Sequence, residues 1–390
     1  MAAIIDANSV GIVTPQKMVH DAPFTLASSK QLPGYTLAYE TYGELNSQKS
    51  NAILICHALS GNAHAAGFHS LDKKPGWWDN FIGPGKIIDT SRFFVVATNN
   101  LGGCDGSTGP LSTDPETGRV YGPDFPGVRV RDWVETQHHL MEYLELDSWV
   151  AVIGGSLGGM QVMRWALNYP DKVKHSVIMA SSMKLTTQNI AFNETARTAI
   201  MSDDAFHDGR YLENNTLPQK GLSLARMIGH LTYLSDDGMD KKFGRELRSG
   251  SFKLGQDSAI EFQIASYLHY QGGKFSTQFD ANSYILMTTA LDFFDLAREY
   301  NDDPVAAFSH ATCDFLILSF SSDWRFSPER SKEIVDALIA ANKSVVYTDI
   351  ESTAGHDGFL LHNPRYESVF GAYMDRVYQT VLTASCGVPQ

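Results

Sequence analysis

Five apolar residues, Trp149-Val-Ala-Val-Ile153, run straight into Gly154-Gly-Ser-Leu-Gly-Gly159, and a helical stretch through Trp165 and Ala166 follows. A short, wholly apolar run is what a strand buried on both faces needs, and such strands belong to parallel sheets covered by helices. The glycines let strand and helix approach closely around a sharp turn, and Ser156 stands at its apex. Composition alone would produce Gly-x-Ser-x-Gly about 0.2 times in a chain of this length, so the pattern by itself is weak. Between a buried strand and a helix it is far more specific. This one segment commits the chain to an α/β layer arrangement with a serine presented at the sheet edge.

The rest of the sequence fits around that unit. Strands are expected at 52–56, 93–97 and 175–179, with a helix at 130–146 whose Val130, Val134, Met141 and Leu144 share one side. From about 183 to 300 the strong patterns are helical instead, at 189–201, 222–234, 259–270 and 283–296, separated by polar, glycine-containing stretches such as 249–257. Alternation then resumes with a strand at 315–319, a helix at 328–341 opened by Pro328, a strand at 344–350 and a last helix near 365–382. A mostly parallel sheet flanked by helices, interrupted by an inserted helical lid, is the expected α/β fold. Residues 1–182 and 301–390 would form the catalytic domain and 183–300 the lid. An insertion, rather than two tandem domains, accounts for 390 residues, more than one core usually fills.

Lys and Arg total 31 against 44 Asp and Glu, a net charge of −13, which argues against nucleic acid or an anionic membrane as partner. No apolar run approaches the length of a spanning helix, and Met1–Asp6 has no basic leader, so a cytoplasmic protein is expected. Cys56, Cys104, Cys313 and Cys386 lie far apart without a CxxC pair, which suggests neither a zinc site nor a disulfide framework. Cys56 and Cys313, at the ends of apolar runs, read as buried free thiols.

A serine on such a turn needs a base, and the base needs an orienting acid, in the chain order Ser, acid, His. The strand at 315–319 leads into Ser321-Ser-Asp-Trp-Arg325, placing Asp323 past its C-terminal end, and the strand at 344–350 leads to His356 in the equivalent loop. Asp314 precedes its strand, and His310 and His362 fit the base position less well. Ser156, His356 and Asp323 are therefore the expected catalytic triad. His57-Ala-Leu-Ser-Gly61 follows the strand at 52–56, so the N–H groups of Leu59 and Leu157 are the expected oxyanion hole, with His57 in a structural hydrogen bond. Gly83-Pro-Gly-Lys86 lacks phosphate-loop spacing, Gly102–Gly106 does not give Gly-x-Gly-x-x-Gly, and His57, His64 and His69 do not form His-Glu-x-x-His. No metal and no cofactor are expected.

Taken together, His57-Ala-Leu-Ser-Gly61, Pro75-Gly-Trp-Trp78, Asn99-Asn-Leu-Gly-Gly103, Gly106-Ser-Thr-Gly-Pro110, Gly154–Met160 and Gly355-His-Asp357 make nearly the whole chain resemble the homoserine O-acyltransferases (MetX type) of the α/β-hydrolase superfamily. Leu157 departs mildly from the Met common after the serine in relatives, and its N–H is unaffected. The resemblance implies a ping-pong acyl transfer to L-homoserine in methionine biosynthesis and a homodimer formed through lid helices. It also implies that Arg226 and Asp357 bind the amino acid, by carboxylate and ammonium. Arg325 stands where acetyl-transferring relatives are typically apolar and the succinyl-transferring group carries Arg. A guanidinium pairs bidentately with a succinyl carboxylate, so succinyl-CoA is the expected donor. Acetyl-CoA as donor, L-serine as acceptor and plain ester hydrolysis are the alternatives.

Overall fold

The computed structural model describes residues 7–70, 74–248 and 262–385. Met1–Asp6, Cys386, the stretch at 249–257 and the first residues of the helix expected at 259–270 lie outside the described residues.

Eight strands form one sheet: β1 (Gln16–His20), β2 (Tyr35–Tyr42), β3 (Ala52–Cys56), β4 (Phe94–Thr98), β5 (Trp149–Gly155), β6 (Val173–Met179), β7 (Asp314–Phe320) and β8 (Val345–Ile350). Their order is β1-β2-β4-β3-β5-β6-β7-β8. β2 runs antiparallel to both neighbours, and every pairing from β4 to β8 is parallel. The apolar runs were legible because both sheet faces are covered. Leu54, Val152 and Ile178 enter one core with α1 (Val130–Tyr143) and α2 (Leu157–Asn168). Their neighbours Ile53, Ile55, Ile153 and Val177 enter a second core on the other face. That is the period-two alternation of a pleated sheet with two dry sides.

Between β6 and β7 the described residues contribute no strand to the sheet. They form α3 (Thr187–Met201), α4 (Gln219–Tyr233), α5 (Asp236–Phe243), α6 (Gln263–Ser276), α7 (Ala281–Asp292) and the short α8 (Pro304–Ser309). Ala196, Ile200, Leu222, Ala225, Phe275 and Tyr284 make a small core of their own here. After β7 come α9 (Pro328–Ala340), β8 and α10 (Pro364–Ser385), whose Tyr366, Phe370 and Val377 close the second core.

Several elements escaped the sequence reading, among them the short α8, an antiparallel edge and α5. The antiparallel edge β1–β2 was missed because β2 carries Thr36, Glu40 and Thr41 among its apolar residues, so no clean alternation shows. The helix α5 was missed because Phe243 is its only buried residue; Ser235 caps it by accepting from the Gly238 N–H.

Candidate active site

Ser156 sits at the junction of β5 and α2 with φ 56° and ψ −122°, a strained conformation for a residue with a side chain. The surrounding glycines permit it. A Cβ on Gly158 would lie 2.1 Å from the Cys56 carbonyl oxygen, and one on Gly154 would lie 2.5 Å from the Gly158 carbonyl carbon. The Ser156 N–H donates to the Met179 carbonyl at 2.9 Å, and the Ser181 hydroxyl donates to the Ser156 carbonyl at 2.8 Å, which holds the turn from β6.

His356 arrives on a short 3-10 turn after β8, and Asp323 on the loop after β7. The Ser156 hydroxyl donates to His356 Nε2 at 2.8 Å, and His356 Nδ1 donates to Asp323 Oδ2 at 2.7 Å. This sets the tautomer, with the proton on Nδ1 and the acceptor facing the serine. Asp323 is 1% exposed, and its other oxygen accepts from the N–H groups of Arg325 at 3.0 Å and Phe326 at 2.8 Å. Phe326 stacks on the His356 ring at 4.8 Å. Asp323, His356 and Ser156 are thus each fixed by partners beyond the trio. Asp314, at the first residue of β7, accepts from Arg376 instead, and His362 pairs with Glu367.

A cavity of about 130 Å³ opens on Ser156 and His356 and is lined also by Leu59, Arg226, Tyr233, Arg325, Asp357 and Leu291. Every expected site residue except Asp323, which backs His356, and Leu157, adjacent to the serine, is therefore on its wall. A larger cleft of about 850 Å³ lies behind Asp323, but it includes neither Ser156 nor His356. Leu157 is the first residue of α2, so its N–H lies outside the helix's own ladder and faces the turn end. Burial raises the Asp357 pKa, opposed by the His356 and Arg226 charges nearby.

The Arg226 guanidinium donates to Ser60 at 3.2 Å and lies 4.7 Å over Phe275. Arg325 is 9% exposed and donates to the neutral Thr232 hydroxyl and, at 3.2 Å, to the Asn193 amide oxygen. No carboxylate among the described residues pairs with it. Tyr233 lies beneath both guanidiniums, 5.3 Å from Arg325 and 5.8 Å from Arg226. Sequence reasoning missed Tyr233, Thr232 and Asn193. The available signal was spacing: Tyr233 follows Arg226 by two helical turns, on the same face of α4.

His57 lies apart from the serine. Its Nδ1 donates to the Ala58 carbonyl at 2.7 Å and its Nε2 accepts from the Asn100 N–H at 3.1 Å, while burial lowers its pKa. The neutral ring braces the loop that carries Leu59. His64 and His69 do form a cluster, but with the distant Glu40, and the three could offer metal-ligand atoms within 4.8 Å of one another. Burial would raise the Glu40 pKa, yet hydrogen bonds from His64 at 3.0 Å, His69 at 2.7 Å and Tyr42 at 2.9 Å carry it below the usual range. Cys56 and Cys313 are buried free thiols, and burial pushes the Cys313 pKa up to about 11.

Comparison with known proteins follows the same lines. The family described as the alpha/beta hydrolase fold matches residues 51–363. A curated homoserine O-succinyltransferase of Cellvibrio japonicus is 63% identical over 374 residues, covering 96% of this chain and 98% of its own. The homoserine O-succinyltransferase of Saccharophagus degradans is also 63% identical, over 97% of this chain and all of its own. Among solved structures, a homoserine O-acetyltransferase from Bacillus anthracis superposes with a TM-score of 0.84 at 27% identity, covering 95% of this chain and 97% of that one. Esterase E22 superposes with a TM-score of 0.84 at 28% identity, covering 93% and 100%.

Proposed function

The chain belongs to the homoserine O-succinyltransferases of the α/β-hydrolase fold, and on that premise we propose how its residues move a succinyl group from succinyl-CoA to the hydroxyl of L-homoserine. His356 takes the Ser156 proton as the serine oxygen attacks the thioester carbonyl. Asp323 stabilises the resulting imidazolium. The N–H groups of Leu59 and Leu157 receive the developing oxyanion, each donor contributing about 10²–10³ in rate. Collapse breaks the C–S bond, His356 returns its proton to the leaving thiolate, and CoA departs from a succinyl-serine ester. L-Homoserine then enters, with Arg226 on its α-carboxylate and Asp357 on its ammonium. His356 accepts the hydroxyl proton as that oxygen attacks the ester, then returns it to Ser156, releasing O-succinyl-L-homoserine. The thioester is the activated group, so these steps require no cofactor.

One observation carries the donor assignment. Arg325 is buried on the wall of the Ser156 cavity and held by neutral partners only. A succinyl carboxylate would complete its pairing, whereas acetyl would leave it without an anion, at a cost of about 1–3 kcal/mol. The 183–300 helices act as a lid that seats the acceptor and limits water, which would otherwise hydrolyse the acyl-enzyme. Leu224 and Leu231, exposed and two turns apart on α4, suit the lid-to-lid homodimer.

The test mixes the enzyme with succinyl-CoA or acetyl-CoA, with and without L-homoserine, and follows thiol release and O-acyl product. Succinyl transfer dependent on homoserine is expected. Arg325→Leu should lower kcat/KM for succinyl-CoA by about 10–100-fold relative to acetyl-CoA. Equal losses for both donors would make Arg325 structural, and thiol release indifferent to homoserine would make the enzyme a hydrolase.

A further inference from the structure

A second cavity, of about 190 Å³, lies against the start of α1 and the end of α7 and has no part in the chemistry above. Four arginines line it, Arg129, Arg131, Arg164 and Arg298, against two carboxylates, Asp295 and Glu299. On a chain of net charge −13 this is an unusual gathering of positive charge. Two of the four guanidiniums have a carboxylate partner, Glu299 for Arg164 and, at 3.8 Å, Asp302 for Arg298. Glu299 accepts from Arg164 Nη2 at 2.7 Å, and Asp295 turns to the Ala297 N–H at 3.2 Å. Asp132, beneath the cavity, spends its oxygens on the N–H groups of Ala27 and Arg129.

Arg164 supplies a separate observation. Its side chain is only 7% exposed, and its Nε and Nη1 are buried without a hydrogen-bond partner. A guanidinium in that state lacks an acceptor beyond Glu299. Arg129 and Arg131 form no ion pair among the described residues, and the Arg129 guanidinium lies 4.2 Å over the ring of the exposed Phe293. Val130 and Arg131 open the 14-residue α1, so their N–H groups also lack helical partners and face an anion favourably.

We propose that this cavity binds a phosphate group. Its size suits one or two phosphoryl groups, arginine forks match their oxygens, and the helix N-terminus adds neutral donors. The cavity shares the last turn of α7 with the Ser156 cavity. Leu291 lines the catalytic side, and Ala290, Phe293 and Phe294 line this one. The phosphate can therefore come from two sources, a free phosphorylated metabolite or the diphosphate end of the acyl-CoA. The second source rests on the function proposed above.

Inorganic pyrophosphate is the probe, titrated calorimetrically into the full chain. One saturable site is expected, weakened about tenfold or more in R131Q/R298Q, which changes only exposed side chains. R164M should weaken it further, and the surface pair keeps the test decisive if that variant folds poorly. Equal affinity in wild type and R131Q/R298Q, or no saturable binding in the millimolar range, overturns the proposal. A kinetic arm compares succinyl-CoA with succinyl-pantetheine, which has no phosphate. A raised KM for succinyl-CoA alone assigns the site to the CoA phosphates. Unchanged KM values with lost pyrophosphate binding assign it to a separate phosphorylated ligand.

Discussion

The sheet and the 183–300 helices hold their functional residues in different ways. Ser156 stands at the end of β5, and Asp323 and His356 on the segments that follow β7 and β8, joined at 2.7–2.8 Å and backed by two large apolar cores. Arg226 and Tyr233 stand on α4, over a small core of their own, and Arg226 reaches the sheet domain through a 3.2 Å contact to Ser60. The frame is shared at TM-scores near 0.84 with an acetyltransferase and an esterase. On the function proposed above, reactivity belongs to the frame, and choice of acyl group and acceptor belongs to what the helices bring over it. Arg325 links the two, since its backbone N–H holds Asp323 while its guanidinium reaches Thr232 and Asn193 on the helices.

The largest effect should come from the frame. Ser156→Ala should remove the acyl-enzyme seen by intact mass after mixing with succinyl-CoA and lower kcat by about 10⁴-fold or more. Covalent succinylation that persists would place the nucleophile elsewhere.

Matched glycines test whether the two regions fail separately. Gly158→Ala pushes a Cβ to 2.1 Å from the Cys56 oxygen, and Gly221→Ala pushes one to 2.5 Å from the Ala199 oxygen where α4 crosses α3. Backbone clashes of this kind cost about 1–3 kcal/mol or more. Gly158→Ala should lower the main thermal transition and abolish activity together. Gly221→Ala should leave that transition nearly in place while raising KM for homoserine. Equal loss of the main transition in both would show one cooperative unit.

Acid gives a milder probe. Burial lowers the pKa of His175 on β6 to about 4, and burial with the Arg226 charge does the same for His230 on α4. Between roughly pH 6.5 and 4 the unfolded chain binds protons that the folded one refuses, so stability is full above that window and falls as pH drops through it. Each group contributes a slope of at most about 1.4 kcal/mol per pH unit. His175→Gln should flatten the pH dependence of the main transition, and His230→Gln that of amide exchange in α4 alone.

The same contrast explains what the sequence made legible. Buried parallel strands write themselves as apolar runs, and their C-terminal ends point to Ser156, Asp323 and His356 without further information. Each role needs only a strand end and a residue type. The setting of Arg325 depends on Thr232 and Asn193, about a hundred positions away in sequence, and no local period announces such a meeting. The Glu40 cluster was invisible for the same reason, because His64 and His69 reach Glu40 on β2 from the loop after β3. Polar cavity walls are long-range facts, whereas buried strands are local ones.

The smallest predicted effect is the most direct measure of the contrast. Gly273 on α6 and Gly371 on α10 each have open space where a Cβ would go, and neither has a positive φ. Alanine at either position should stabilise its helix by the same amount, about 0.5–1 kcal/mol, because the gain is local backbone entropy and helix propensity. Where that gain is felt should differ. The helix α10 closes the second core of the sheet, so Gly371→Ala should raise the main transition temperature. Gly273→Ala should leave that temperature unchanged and instead slow amide exchange and proteolysis within the 183–300 helices. If both raise the main transition equally, helices and sheet unfold as one, and substrate choice rests on a scaffold as stable as the catalytic frame.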